Sequence, residues 1–176
     1  MKIINFDHLA CSPILPEVRE AMLPFLSEDI GNPLSRHMMA DKPRAALEGA
    51  RESVAKLIGA RPEEIIFTSC GSESNNLAVK GLASAYLKKR RHIIASPIEH
   101  HSIIHPLKAL EKQGYEISWL KVDRNGNVNP QEVASLIRED TILITVTLAS
   151  NEVGTLEPIK EIGKIAQQRN VTFHTD

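Results

Sequence analysis

Four short stretches of the 176-residue chain carry side chains with chemistry to offer. The first is Thr68-Ser69-Cys70-Gly71-Ser72-Glu73-Ser74-Asn75-Asn76, a run of small and hydroxyl-bearing residues that opens onto a helical pattern. Small side chains let backbone N–H groups close on an anion. A helix N-terminus behind them adds about half a positive charge. Ser72 adds a hydroxyl, although Ser72 followed by Glu73 also suits plain N-capping. The second stretch, Glu99-His100-His101, offers an imidazole, or simply polar residues at a helix start. The third, Ser150-Asn151-Glu152-Val153-Gly154, offers an amide for a ligand, or ordinary turn chemistry. The fourth, His174-Thr175-Asp176, sets a carboxylate at the end of an apolar run, facing either a ligand or solvent.

The elements that must position these groups alternate in type. Apolar residues at helical spacing predict helices over 16–26, interrupted at Pro24, and over 42–58, with Gly59 as the C-cap. A β run at 64–68 leads into a turn at 69–72 and a helix over about 73–89. Strands are expected at 92–95, 116–122, 141–147 and 171–175, with helices at 101–113, 130–138 and 158–168 between them. Strands alternating with helices require right-handed crossovers, so the expected fold class is α/β, a largely parallel sheet with helices on both faces. Each of the four stretches then falls at the carboxyl end of a successive strand. In open parallel sheets this is the edge where ligand chemistry gathers. The chain stops on its last strand, and it is expected to be an incomplete domain: residues 1–13 lead in, and 14–176 form the truncated large domain.

Bulk properties narrow the function classes. With 42% hydrophobic and 24% charged residues the composition is that of an ordinary globular domain. A net charge of −1 gives no case for nucleic acid or an acidic membrane. The basic run Lys88-Lys89-Arg90-Arg91 reads as a solvated helix end. Two cysteines, Cys11 and Cys70, form no CxxC pair, and the N-terminus has no apolar signal core, so a cytoplasmic location is expected. No metal site is expected.

The order of FTSCGSESNNLA, SPIEHHSII, ASNEVGTLEPI and FHTD resembles the cysteine desulfurase branch of the class V aminotransferases, which have the type I fold of pyridoxal 5'-phosphate (PLP) enzymes. The segment Gly31-Asn32-Pro33-Leu34-Ser35-Arg36-His37 is similar to that family's GNPxSxH. The resemblance runs from about Asn5 to Asp176. It implies that Gly71 and Ser72 hold the cofactor phosphate, that His100 faces the cofactor ring and moves protons as the catalytic residue, that Asn151 contacts the ring hydroxyl, and that Asp176 pairs with the pyridine nitrogen. It further implies L-cysteine as substrate, alanine and an enzyme persulfide as products, a homodimer, and an iron–sulfur scaffold or other sulfur acceptor as partner. The Schiff-base lysine and the persulfide cysteine of the family match no residue here, so the isolated chain is expected to be inactive. Two departures bear on substrate identity. Phe6-Asp7-His8-Leu9-Ala10-Cys11-Ser12-Pro13 stands where the family reads like LDNAATTP, and Ser69-Cys70-Gly71-Ser72 stands for Ser-Gly-Ala-Thr. A selenocysteine lyase, an epimerase, an aminotransferase or a non-catalytic interaction protein remain open alternatives.

Overall fold

His92-Ile93-Ile94-Ala95 and Thr141-Ile142-Leu143-Ile144-Thr145 form neighbouring strands, β1 (His92–Ala95) and β3 (Thr141–Thr145), in which every residue is buried. Continuous apolar runs of this kind belong to a sheet covered on both faces. The outer strands are β2 (Glu116–Trp119) and β4 (Thr172–His174). The order is β2-β1-β3-β4, and all pairs are parallel. The structure, a computed structural model, describes residues 4–6, 8, 12–86 and 91–176. It comprises two compact units, Met1–Phe67 and Thr68–Asp176. The sheet lies in the second.

Alternation along the strands divides the core of this second unit in two. Ile93, Ala95 and Leu143 pack with Val79 and Ala83 of α3 (Gly71–Ala85) and with Ile103, Leu107 and Leu110 of α4 (His101–Glu111). Ile94, Ile144 and Val146 pack on the other face with Val133 of α5 (Pro130–Leu136) and Ile162 and Ala166 of α6 (Ile159–Gln168). The α/β expectation therefore holds, with helices on both faces of the sheet. The chain leaves β1 toward β2 on one side and reaches β3 on the other. The switch point of the topology thus lies between the carboxyl ends of β1 and β3, the place where such sheets open a crevice.

In the first unit, α1 (Pro16–Ser27) continues through Pro24, and the expected interruption does not occur. None of its residues is buried, so water can take up the one carbonyl that proline leaves without a donor. The helix α2 (Asp41–Ile58) ends where Gly59 adopts φ 70°, a left-handed C-cap. Gly31 is required sterically: a Cβ there would lie 2.1 Å from the carbonyl oxygen of Met39. The expected β run at 64–68 is a correction. Pro62–Glu64 forms a 3-10 turn, Ile65 after it is extended, and residues 65–67 join no ladder among the described residues. Ile65 is buried, while Ile66 and Phe67 are exposed. Apolar alternation can arise without a partner strand. The basic run at 88–91 lies outside the described residues except for Arg91, whose guanidinium sits 5.6 Å from the Tyr115 ring centroid. Among the described residues no helix is long and apolar enough to cross a membrane.

Candidate active site

The small-residue run folds as the entrance to α3. The helix begins at Gly71, two residues before the expected start, with Cys70 extended at the N-cap (φ −167°, ψ 168°). Cys70 has no side-chain oxygen to cap with, and Glu73 supplies the acceptor. One oxygen of its carboxylate receives both Ser69 N–H and Ser69 Oγ–H at 2.6 Å. These two donors hold Glu73 below the usual carboxylate range. Thr68 Oγ1 and Ser74 Oγ lie 2.6 Å apart and brace the turn. The first helical donors with backbone partners are Glu73 and Ser74, both to the Cys70 carbonyl at 3.1 Å. The N–H groups of Gly71 and Ser72 meet no oxygen acceptor among the described residues. A Cβ added at Gly71 would meet no heavy atom within 4 Å among the described residues.

The exposed Cys70 thiol is held below its ordinary value. Glu73 N–H contributes most, the Ser69 hydroxyl next, and Ser72 N–H adds to them. These N–H groups and the helix dipole favour negative charge at one place, and a thiolate or a phosphate meets that condition.

His100 is the N-cap of α4, and its Nδ1 accepts the N–H of Ser102 at 3.1 Å. Between α3 and α4 opens a cleft of about 390 Å³. Ser72, Asn76 and Lys80 line it from α3, and His100, His101, Ser102 and His105 line it from the α4 side. His101 and His105, one turn apart, stack with centroids 5.2 Å apart. Among the described residues no group of three or more His, Cys, Asp or Glu is arranged for a metal.

Asp176 follows β4, in register with β3. Its carbonyl accepts Leu148 N–H at 3.0 Å and the Thr147 hydroxyl at 3.2 Å. Its carboxylate accepts one N–H of the Asn75 amide at 3.0 Å. The other donation from that amide goes to Ser102 Oγ at 2.8 Å, and Ser102 Oγ is 2.7 Å from His100 Nδ1. Ser72 and His100 thus share a cleft, and Asp176 is joined to His100 through Asn75 and Ser102. Asn151 opens an exposed turn after β3, does not line the cleft and bonds to none of these residues.

Behind His100, Glu99 is buried. Its Oε1 accepts Thr147 N–H at 2.8 Å, which ties the loop after β1 to the end of β3 across the switch point. Among the described residues its Oε2 has no hydrogen-bond partner, and burial raises its pKa to about 7. Glu157 is similar: Oε2 accepts Val128 N–H at 3.0 Å, and Oε1 has no hydrogen-bond partner among the described residues.

Residues 4–176 match the family model for aminotransferase class V. The chain belongs to this family.

Its class V relatives include a cysteine desulfurase IscS from Dictyoglomus turgidum, 51% identical over 98% of this chain and 44% of that relative. Another IscS, from Methanosarcina thermophila, is 47% identical over 99% of the chain and 43% of the relative. The solved structure of a NifS-like protein superimposes with a TM-score of 0.93 at 38% identity, covering 97% of this chain and 47% of that one. The chain therefore spans less than half the length of the curated relatives it matches.

Three residues of this candidate site had no role in the sequence reading: Asn75 and Glu99 lie within its first and second stretches, and Ser102 lies just after the second. Asn75 stands three residues after Ser72, on the same side of a helix. Ser102 stands two residues after an N-cap, where a backbone donor turns back onto the capping side chain. Those spacings were visible, but what they reach was not, because Asn75 and Asp176 are far apart in the chain.

Proposed function

We propose that this chain supplies the N-terminal part of a PLP site in a protein that removes sulfur from L-cysteine. The observation that carries the proposal is the convergence of an open helix N-terminus at Gly71 and Ser72, the His100 imidazole and the Asp176 carboxylate. The donor chemistry fits the cofactor. Gly71 and Ser72 N–H, neither with an oxygen acceptor among the described residues, and a hydroxyl suit a phosphate dianion, and a carboxylate suits a protonated pyridine nitrogen. When bound, PLP supplies an electron sink for charge that develops at the substrate α-carbon.

The protein's own part is positioning and proton handling. Gly71 and Ser72 N–H bind the phosphate, and Ser72 Oγ adds a third donor. Asp176, held by Asn75, keeps the pyridine nitrogen protonated. His100 holds or moves a proton at Nε2, the ring nitrogen left over once Nδ1 serves the helix cap. Asn151 is assigned to the ring hydroxyl on the family resemblance alone. L-cysteine as substrate, a homodimer, a sulfur-accepting partner and a cytoplasmic location follow from the same family reading. Among the solved relatives, an SspA in complex with cysteine is 41% identical to this chain, with a TM-score of 0.94, which favours an amino-acid thiol as the substrate.

The test compares ligands with and without phosphate. The protein carrying this chain is titrated with PLP and with pyridoxal, followed by absorbance. Ser72→Ala is expected to weaken PLP about tenfold, the scale of one charge-assisted hydrogen bond, and to leave pyridoxal nearly unchanged. Equal losses for both ligands reject the phosphate assignment. With L-cysteine and an added thiol reductant, which releases persulfide sulfur as sulfide and is itself oxidised to a disulfide, sulfide and alanine should appear together. PLP binding without sulfide release would assign another class V reaction.

A further inference from the structure

We propose that Asn75 and Ser102 are positioning residues that set the tautomer of His100, placing its proton on Nε2 and coupling that choice to Asp176. The bonds themselves fix the directions. A carboxylate oxygen only accepts, so the group of Asn75 that lies 3.0 Å from Asp176 Oδ2 is its NH₂. The amide cannot turn over without setting its own oxygen against that carboxylate. The same NH₂ lies 2.8 Å from Ser102 Oγ and occupies a lone pair there. Ser102 keeps one hydroxyl proton, and its remaining neighbour is His100 Nδ1 at 2.7 Å.

The backbone gives the same result independently. Ser102 N–H is fixed by the first turn of α4, cannot rotate, and points at Nδ1 from 3.1 Å. An Nδ1–H tautomer would set two protons against each other. Two donors therefore converge on Nδ1, and neutral His100 carries its proton on Nε2. The chain of direction runs from Asp176 through Asn75 and Ser102 to the imidazole, a path no stretch of sequence contains. Asn75 is only 4% exposed, which keeps water from competing for its amide.

The tautomer follows from the hydrogen bonds alone; its use in moving a proton rests on the function proposed above. Ring-nitrogen NMR on the ¹⁵N-labelled chain, without substrate or cofactor, separates the two. His100 is assigned by the signals lost in His100→Gln, and exposed His101 and His105 serve as references. His100 is expected to show a pyridine-like Nδ1 and a pyrrole-like Nε2, without the averaging of the references. Ser102→Ala should move the Nδ1 signal toward the unbonded position, and Ser102→Thr should restore it. Asn75→Ala, which leaves Ser102 in place, should produce a smaller shift of the same sign. A protonated Nδ1, averaging like that of the references, or an Nδ1 signal unmoved by Ser102→Ala overturns the proposal. The wild-type spectrum decides the tautomer even if the buried Asn75 variant fails to fold. Loss of PLP binding would bear on the proposed function and leave the tautomer untouched.

Discussion

Cys70 departs from the family turn, and its surroundings turn that departure into a reactive group. The thiol is exposed and is lowered by Glu73 N–H, the Ser69 hydroxyl and Ser72 N–H, the last of which would also meet a phosphate. Thiolate character sets alkylation rate. In a Cys11→Ser background, iodoacetamide is therefore expected to modify Cys70 faster at pH 7 than it modifies a small unperturbed thiol. Saturating PLP should slow the reaction several-fold, measured by intact mass. An unchanged rate would place the phosphate away from this turn. Reading the sequence was sufficient to single out Ser72 and His100, because small residues before a helix and an imidazole at a helix start are local patterns. Asn75 and Ser102 have no local signature. Both are common polar residues inside helices until another segment meets them.

At the scale of elements, the sheet is pinned at the end opposite the site by a buried histidine. His92 Nδ1 pairs with Thr141 Oγ1 and Nε2 with Ser118 Oγ, each at 2.8 Å, so one imidazole bridges β1 to both of its neighbours. Burial lowers its pKa, so the bridge is a neutral ring. His92→Phe fills the space but leaves the two hydroxyls short of a partner. The expected cost is about 2 kcal/mol, the scale of one or two unmet buried hydrogen bonds. It should appear as a lower urea midpoint followed by the fluorescence of Trp119, which is half-buried on β2. A midpoint within error of wild type would mean that water replaces the ring. Strands β1 and β3 were legible because both faces of each are covered. The run at 65–67 shows the limit of that signal, since a strand is defined by its partner and none is offered there among the described residues.

Across the whole molecule, Glu99 carries the consequence of closing the crevice with a carboxyl group. Its pKa is raised to about 7 from 4.5, chiefly by burial, with Asp176 and Glu157 adding to the shift and Thr147 N–H opposing it. Below pH 4.5 the group is neutral in both folded and unfolded chains. Between there and about 7 the unfolded chain ionises it and the folded chain does not, so its contribution to stability falls as pH rises. Above about 7 the loss is complete, on the order of 3 kcal/mol. His92 and His174, both lowered by burial, act in the opposite sense below their ordinary value of 6.5. Glu99→Gln isolates the carboxyl, since it keeps an oxygen for Thr147 N–H and cannot ionise. Urea unfolding at pH 5 and pH 8 should show that the variant gains on wild type by about 2 kcal/mol at the higher pH. An equal difference at both values would show that Glu99 is ionised in the fold throughout.

The sequence by itself determined the alternation of strands and helices, the ends of most elements and the stretches from which the site is drawn. Each of these depends on periodicity, caps and turn residues within a few positions of one another. Tertiary structure alone decided that the chain from β1 turns to opposite sides for β2 and β3, which opens the crevice between β1 and β3. It also decided that Glu99 spans that crevice to Thr147, and that Asn75 holds Asp176 and Ser102 at once. Those outcomes depend on pairing between distant segments, where direction and distance are set by how the sheet assembles and by which buried polar groups must find partners.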